Sequence, residues 1–336
     1  MTLEELLKEA GENEVDASVH VQLVHAKQSN TQTGKPYFDL EIADANASAK
    51  LKIWSETPAF SLCERLKGQE FIELEGYFFR NQYGLNISRP QARLLGDDEI
   101  QFLLAGTEES QAATERDWEY LIQLFGQLDD QRLKVITLQC LGEYEAKWKR
   151  AAAARSYHHA RRGGLLEHTS SMLRAAEAVA PLYPEVSPEL LYCGVLFHDV
   201  GKLWENDYPE RGFASQPALF GEMLGHITIG IEIVNKLWNV AREQNPELFS
   251  SEVKPPSEVL REHLLHLIAS HHGEMAFGSP VTPRTPEAWL LHHIDNMDAK
   301  IEMLRCAYRE KEEVVPGLYE NRRPLAGMPA KPLSEY

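Results

Sequence analysis

His198 and Asp199 stand side by side where an apolar helix should end, in the stretch LLYCGVLFHDVGK, with Lys202 three residues further on. Burying an imidazole and a carboxylate without partners costs roughly several kcal/mol. A divalent cation removes that cost by turning both groups into ligands. Gly201 is placed to end the helix just after the pair. Histidines recur through the same half of the chain. Of the 13, only His20 and His25 precede residue 150. The others include His168 in GGLLEHT, His226 in LGHI, His271 and His272 in SHHGE, and His292 and His293 in LHHIDNMDAK, which also holds Asp295 and Asp298. A lone histidine on an apolar face is ordinarily a satisfied core residue. A series of this length, interleaved with aspartates, reads instead as a metal centre.

The elements that must carry these residues are helical. Apolar spacing predicts helices at Leu165 to Ala180, Pro188 to His198, Phe220 to Gln244, Pro256 to His271 and Thr285 to Tyr308, several opening with Pro, Ser or Thr. The first hundred residues read differently. Val15, Ala17, Val19, Val21 and Leu23 alternate with polar neighbours, as do Phe38, Leu40 and Ile42, then Ala49, Leu51 and Ile53, then Ile72, Leu74, Gly76 and Phe78, then Leu85 and Ile87. A short helix is expected within Pro58 to Leu66, and a hairpin turn at Asn81 to Gly84. Five strands with a helix between the third and fourth predict a small OB-type barrel. The polar stretch Thr107 to Thr114 is expected to be a linker. The expected organisation is α+β and multidomain: an OB barrel over residues 1–100, a helical connector over 101–155, an all-α domain over 156–312 and an extended tail over 313–336.

Composition narrows the class. The 336 residues are 43% hydrophobic and 25% charged, enough for packed cores and against global disorder. No apolar run approaches the roughly 20 residues of a membrane span, and the first fifteen residues lack the pattern of a secretory signal. The four cysteines form no C-x-x-C pair, against both a disulfide framework and a thiolate zinc site. A reduced, cytoplasmic setting is expected, with no membrane partner. Net charge is −17, yet Lys147, Lys149, Arg150, Arg155, Arg161 and Arg162 fall in one stretch without an acid. A local basic strip can hold a phosphate chain on an acidic protein, so net charge excludes little.

The order H…HD…H…HH…D resembles that of the HD superfamily of metal-dependent phosphohydrolases. The stretches HHARRGGLLEHT, LLYCGVLFHDVGK, LGHI and SHHGEMAFGSPVTPRTPEAWLLHHIDNMDAK resemble the YhaM-type 3′–5′ exoribonucleases, which join an OB-fold to a C-terminal HD domain. GKPYFDLEIADANASAKLKIW resembles the OB segment of that family. The resemblance covers about residues 15 to 305 and implies metal ligands at His168, His198, Asp199, His226, His271, His272 and Asp295. Seven N/O ligands are too many for one ion, so two divalent ions are expected, with Asp199 as the bridge. Carboxylate mixed with imidazole suits Mn²⁺ first, with Fe²⁺, Co²⁺, Ni²⁺ and Zn²⁺ as alternatives. At least one of His292 and His293 is read as packing, and Asp298 as supporting a ligand rather than ligating. His158 and His159 match the family's HH-x-x-x-GGL segment, where the functional reading is contact with substrate phosphate, helped by Arg161 and Arg162. The Gly-Tyr-Pro loop of cyclic-dinucleotide hydrolases is absent. The chain departs from the family after the second strand, where Ala45-Asn46-Ala47 stands in place of a common glycine.

With Phe38, Leu40, Leu51, Ile53, Ile72 and Leu74 facing inward, period two turns Tyr37, Lys50, Lys52, Trp54, Tyr77 and Phe79 outward. Aromatics interleaved with lysines suit single-stranded nucleic acid. The function implied is metal-dependent 3′–5′ hydrolysis of single-stranded RNA, ahead of DNA, to 5′-nucleotides. Catalysis is expected at His198 and Asp199, Lys202 would add charge stabilisation, and water would be the nucleophile. Two rivals remain at this point: an HD phosphohydrolase of free nucleotides, and a single-strand-binding protein with a structural metal site.

Overall fold

Alternating burial builds the first unit. In the computed structural model, which describes residues 1–45, 47–66, 68–81, 84–154, 161–213, 216–310, 313–321 and 325–335, one unit comprises Met1–Gln111, Pro209–Ala214 and Tyr308–Glu312. Helix α1 (Leu3–Glu9) precedes β1 (Val15–Asn30), β2 (Pro36–Ala43), β3 (Ser48–Trp54), α2 (Pro58–Cys63), β4 (Phe71–Asn81), β5 (Gly84–Leu94) and α3 (Asp97–Ala105). The strands form one antiparallel sheet in the order β3-β2-β1-β4-β5, and β3 and β5 approach each other at its two edges. That is the curled five-stranded sheet of an OB-type barrel. Its core holds Val19, Val21, Leu23, Phe38, Leu40, Ile42, Leu51, Ile53, Ile72, Leu74 and Phe78, the inward set that alternation predicts. Gly76 lies where the β4–β5 register shifts; a Cβ there would meet the Ser88 carbonyl at 2.8 Å.

Helix α1 adds Leu3 and Leu6 to this core. Thr2 and Glu5 cap it reciprocally, and Asp44 accepts from the Leu3 N–H at 2.7 Å. No helix was expected there. The turn positions Asn46, Gln82 and Tyr83 lie outside the described residues.

The second unit comprises Ala112–Tyr208, Ser215–Ala307 and Glu313–Tyr336. The expected linker Thr107 to Thr114 does hold the boundary between the two units, between Gln111 and Ala112, but as helix rather than loop, at the start of α4 (Glu108–Gly126). The Thr107 hydroxyl accepts from the Ser110 N–H at 3.1 Å, and Glu108 and Glu109 favour the first turn, so a polar stretch became helix through its ends. Then follow α5 (Gln131–Trp148), α6 (Gly164–Val179), α7 (Pro188–Phe197), α8 (Lys202–Glu205), the short pair β6 (Asn206–Asp207) and β7 (Gln216–Pro217), α9 (Leu219–Gln244), α10 (Ser257–Ser270) and α11 (Pro286–Glu310). Their apolar faces share one core that includes Trp148, Trp238, Phe197, Leu191 and Leu264. Beyond α11, β8 (Glu313–Val315) and β9 (Leu318–Tyr319) pair, and Leu318 bridges to Ala330. Among the described residues no helix is long and apolar enough to cross a membrane.

Candidate functional site

Helix α7 is buried over most of its length, from Leu190 to Phe197, and ends with His198 as its C-cap. Gly201 follows because the chain must pass close to α9; a Cβ there would lie 1.9 Å from the His226 carbonyl oxygen. His168 projects from buried α6, His271 caps α10, His226 lies on α9 and Asp295 on α11. Each helix buries its apolar face in one core, so their polar residues meet at one place.

The rings are turned by their outer nitrogens. His198 Nδ1 lies 2.8 Å from the Val195 carbonyl, His271 Nδ1 2.8 Å from that of Ile268, and His272 Nδ1 2.8 Å from that of Phe277. His168 Nδ1 lies 2.7 Å from Asp298 and His226 Nδ1 3.2 Å from Glu205. An acceptor at Nδ1 places the proton there and leaves a lone pair at Nε2. Four of those Nε2 atoms converge on acids: His198 lies 3.2 Å from one Asp199 oxygen, while His226 and His271 lie 3.4 and 3.7 Å from the other. His168 Nε2 lies 3.3 Å from Asp295. Among the described residues, Asp199 Oδ1 and the Nε2 atoms of His198, His226 and His271 are buried and make no hydrogen bond. Buried polar atoms aimed at one another without hydrogen bonds are what a cation would satisfy. Among the described residues, two sets of three lie close enough to share an ion: His168, His198 and Asp199, and His226, His271 and His272. The donor set therefore fits divalent metal.

Electrostatics favour the ligating forms. Burial disfavours the Asp199 carboxylate, but the Lys202 charge, followed by His198, holds its pKa well below the ordinary value. Asp295 is likewise held low, its burial outweighed by the hydrogen bond from His168 and the charge of His198. Burial, reinforced by the neighbouring imidazoles, keeps His271 and His272 neutral by lowering their pKa values. His168 differs. Burial works against its charged form, but hydrogen bonds to Asp295 and Asp298 prevail and push it up to about 9. A cation would displace that proton.

Surrounding residues hold this arrangement. Lys202 Nζ lies 2.6 Å from Asp199 Oδ2 and also donates to the Ala153 carbonyl. Asp298 accepts from Ser171 at 2.6 Å besides meeting His168. His292 donates from Nδ1 to the His271 carbonyl at 2.8 Å and packs over Gly273, while His293 stacks on exposed Trp289. Arg161 pairs with Glu167 and with buried Glu302, and Arg162 is half-buried, which lowers its pKa. His158, His159 and Arg155 lie outside the described residues. Glu205 was not singled out from the sequence; its only signal there is a lone acid three residues past Lys202.

On the barrel, Tyr37 and Trp54 face each other across β2 and β3 with ring centroids 5.2 Å apart. Lys52 lies 5.1 Å over Tyr37 and Lys35 5.6 Å over Trp54. A cleft of about 270 Å³ is lined by His25, Lys27, Lys50 and Lys52 against Asp39 and Glu41. Tyr77 and Phe79 are half-buried on β4, and among the described residues no ring contact joins them to the Tyr37–Trp54 pair.

Among solved structures, the chain is similar to the second OB-fold domain of replication protein A from Methanococcus maripaludis. Identity there is 20%, over 29% of this chain and 97% of that one, with a TM-score of 0.22. It is also similar to RecG bound to a three-way DNA junction, at 13% identity over 53% of this chain and 30% of that one, with a TM-score of 0.23. Likenesses this slight bear on neither site. Residues 165–300, which contain every histidine and aspartate of the cluster, match the family model of the HD domain, a superfamily of metal-dependent hydrolases.

Proposed function

We propose that this protein is a metal-dependent 3′–5′ exonuclease that hydrolyses single-stranded RNA, and DNA less readily, to 5′-nucleotides. The observation that carries the hydrolytic part is the set of buried Nε2 atoms converging on Asp199 without hydrogen bonds among the described residues. The polarity and the preference for RNA rest on the resemblance of the motifs to YhaM-type enzymes.

His168, His198, Asp199 and Asp295 would hold one divalent ion and His226, His271 and His272 the other, with Asp199 between them and Mn²⁺ the first choice. Such ions polarise a phosphodiester and acidify water at neutral pH. The protein's own part is to keep the donors in ligating form. Lys202 keeps Asp199 ionised by its charge, and burial keeps His271 and His272 neutral. Asp298 aligns His168. Lys202, fixed by Asp199 and the Ala153 carbonyl, also leaves a positive charge beside the centre that favours an anionic phosphate. On the barrel, Tyr37, Trp54 and Phe79 would stack bases while Lys50 and Lys52 follow phosphates; Arg162, His158 and His159 are further candidates for phosphate contact.

Trp54→Ala and Lys52→Ala test the pairing of binding and hydrolysis. Each lost stacking contact is worth about 1–3 kcal/mol, so Trp54→Ala should weaken strand binding about 5- to 150-fold. Lys52→Ala should flatten its salt dependence. Turnover of free nucleotides should not change. Equal turnover of single-stranded RNA by wild type and both variants at sub-saturating substrate would contradict the proposal and favour a hydrolase of free nucleotides.

A further inference from the structure

Helix α9 is broken near its start. Gly225 takes φ +71° and ψ 156°, so Leu219–Leu224 and the segment from His226 onward are two helical pieces meeting at one residue. His226 thus opens the second piece, and the first N–H groups of a helix have no partner within it. Glu205, the last residue of α8, supplies the acceptor. Its Oε1 lies 3.3 Å from the His226 backbone nitrogen and 3.2 Å from His226 Nδ1. One carboxylate oxygen therefore accepts from the main chain and from the ring of the same residue. The first contact fixes where the helix restarts. The second fixes which ring nitrogen carries the proton, and leaves Nε2 facing Asp199 Oδ1 at 3.4 Å. The main chain of Glu205 is packed against Gly221, where a Cβ would lie 2.0 Å from the Glu205 carbonyl oxygen.

His271 and His272 lean on main-chain carbonyls, those of Ile268 and Phe277. Within the His226, His271 and His272 set, only the His226 ring is held by a side chain among the described residues. We propose that Glu205 is a positioning residue for this set, fixing the affinity of its ion through His226 without touching the ion. The inference rests on the reading of the cluster as a two-ion centre. An outer carboxylate that orients a ligating histidine typically changes metal affinity 10- to 100-fold. The ion at His168, His198 and Asp199 should be spared, since among the described residues Glu205 hydrogen-bonds none of those three.

The test is a calorimetric and absorption titration of the full chain, freed of metal, with Co²⁺. Wild type, Glu205→Ala, Glu205→Gln, His226→Ala and the Glu205→Ala/His226→Ala double variant are compared. Wild type should show two binding events. Glu205→Ala should weaken one of them 10- to 100-fold and leave the other within about twofold. Glu205→Gln, which keeps an oxygen acceptor without the charge, should weaken the same event about two- to tenfold. In the His226→Ala background Glu205→Ala should add nothing, because its effect passes through that ring. Weakening of both events together, an additive double variant, or isotherms for Ala and Gln that match wild type would overturn the proposal. If Glu205→Ala does not fold, an unchanged Glu205→Gln isotherm overturns it alone. Absence of any Co²⁺ binding by wild type would instead overturn the two-ion reading, and this inference with it.

Discussion

Replacing Asp199 by alanine is expected to empty the metal centre and to lower hydrolysis more than about a hundredfold. Residues that merely orient a ligand are worth 10- to 100-fold, and Asp199 is the group on which three imidazoles converge. His198 lies 3.2 Å from one of its oxygens, and His226 and His271 lie 3.4 and 3.7 Å from the other. The substitution also strips Lys202 of its carboxylate. A buried charge left without its partner costs about 3–5 kcal/mol, so the alanine variant should melt earlier. Asp199→Asn keeps the shape and a polar contact with Lys202, and separates the two effects. Metal content by plasma emission, read beside melting curves, should show a folded asparagine variant with little bound metal. A folded variant that retains two ions and full turnover would contradict the assignment.

Metal-free protein should lose stability at alkaline pH while metal-loaded protein holds level. In the metal-free centre the pKa of His168 is raised from its ordinary 6.5 to about 9. The raised value stabilises the fold fully below pH 6.5, and the benefit is lost as pH rises through 9. Spread over that shift the loss is about 3 kcal/mol. Across this window Asp199 and Asp295 are held low and ionised, and His271 and His272 are held neutral. Ligation needs a bare Nε2 on His168, so each ion bound there must expel one proton, and apparent affinity rises up to tenfold per pH unit until about pH 9. Melting temperature measured from pH 6.5 to 9, with chelator and with saturating Mn²⁺, should therefore diverge with rising pH. A metal-induced stabilisation that stays flat across the window would rule out His168 as a ligand that loses its proton.

The barrel was legible because each strand repeats with period two. Phe38, Leu40 and Ile42 on β2 and Leu51 and Ile53 on β3 are buried while Tyr37, Lys50, Lys52 and Trp54 between them are not. The cluster was legible because its residue types are costly to bury, and His198 beside Asp199 at the end of an apolar helix had few explanations. What escaped had weak local signals. Helix α1 is only seven residues long, too short for periodicity, and only the Thr2–Glu5 cap marks it. Thr107 to Thr114 lacks apolar residues apart from Ala112 and Ala113, yet it joins a helix whose buried residues, Trp118, Leu121 and Phe125, lie further along. Glu205 matters through a contact 21 residues away that depends on the break at Gly225. No spacing rule links an acid at the end of one helix to a break inside the next. His292 was open to either reading in the sequence, and its hydrogen bond to the His271 carbonyl gives it a packing role.

The central claim, metal-dependent hydrolysis from the 3′ end of a single strand, is tested most directly by one assay. A 5′-labelled single-stranded RNA is incubated with wild type in Mn²⁺, with wild type in chelator, and with Asp199→Asn in Mn²⁺, then resolved on a denaturing gel. A ladder shortening from the 3′ end in the first lane, and full-length label in the other two, is the predicted result. Full-length label in all three lanes from protein shown to hold metal, or a ladder that persists in chelator, would contradict it.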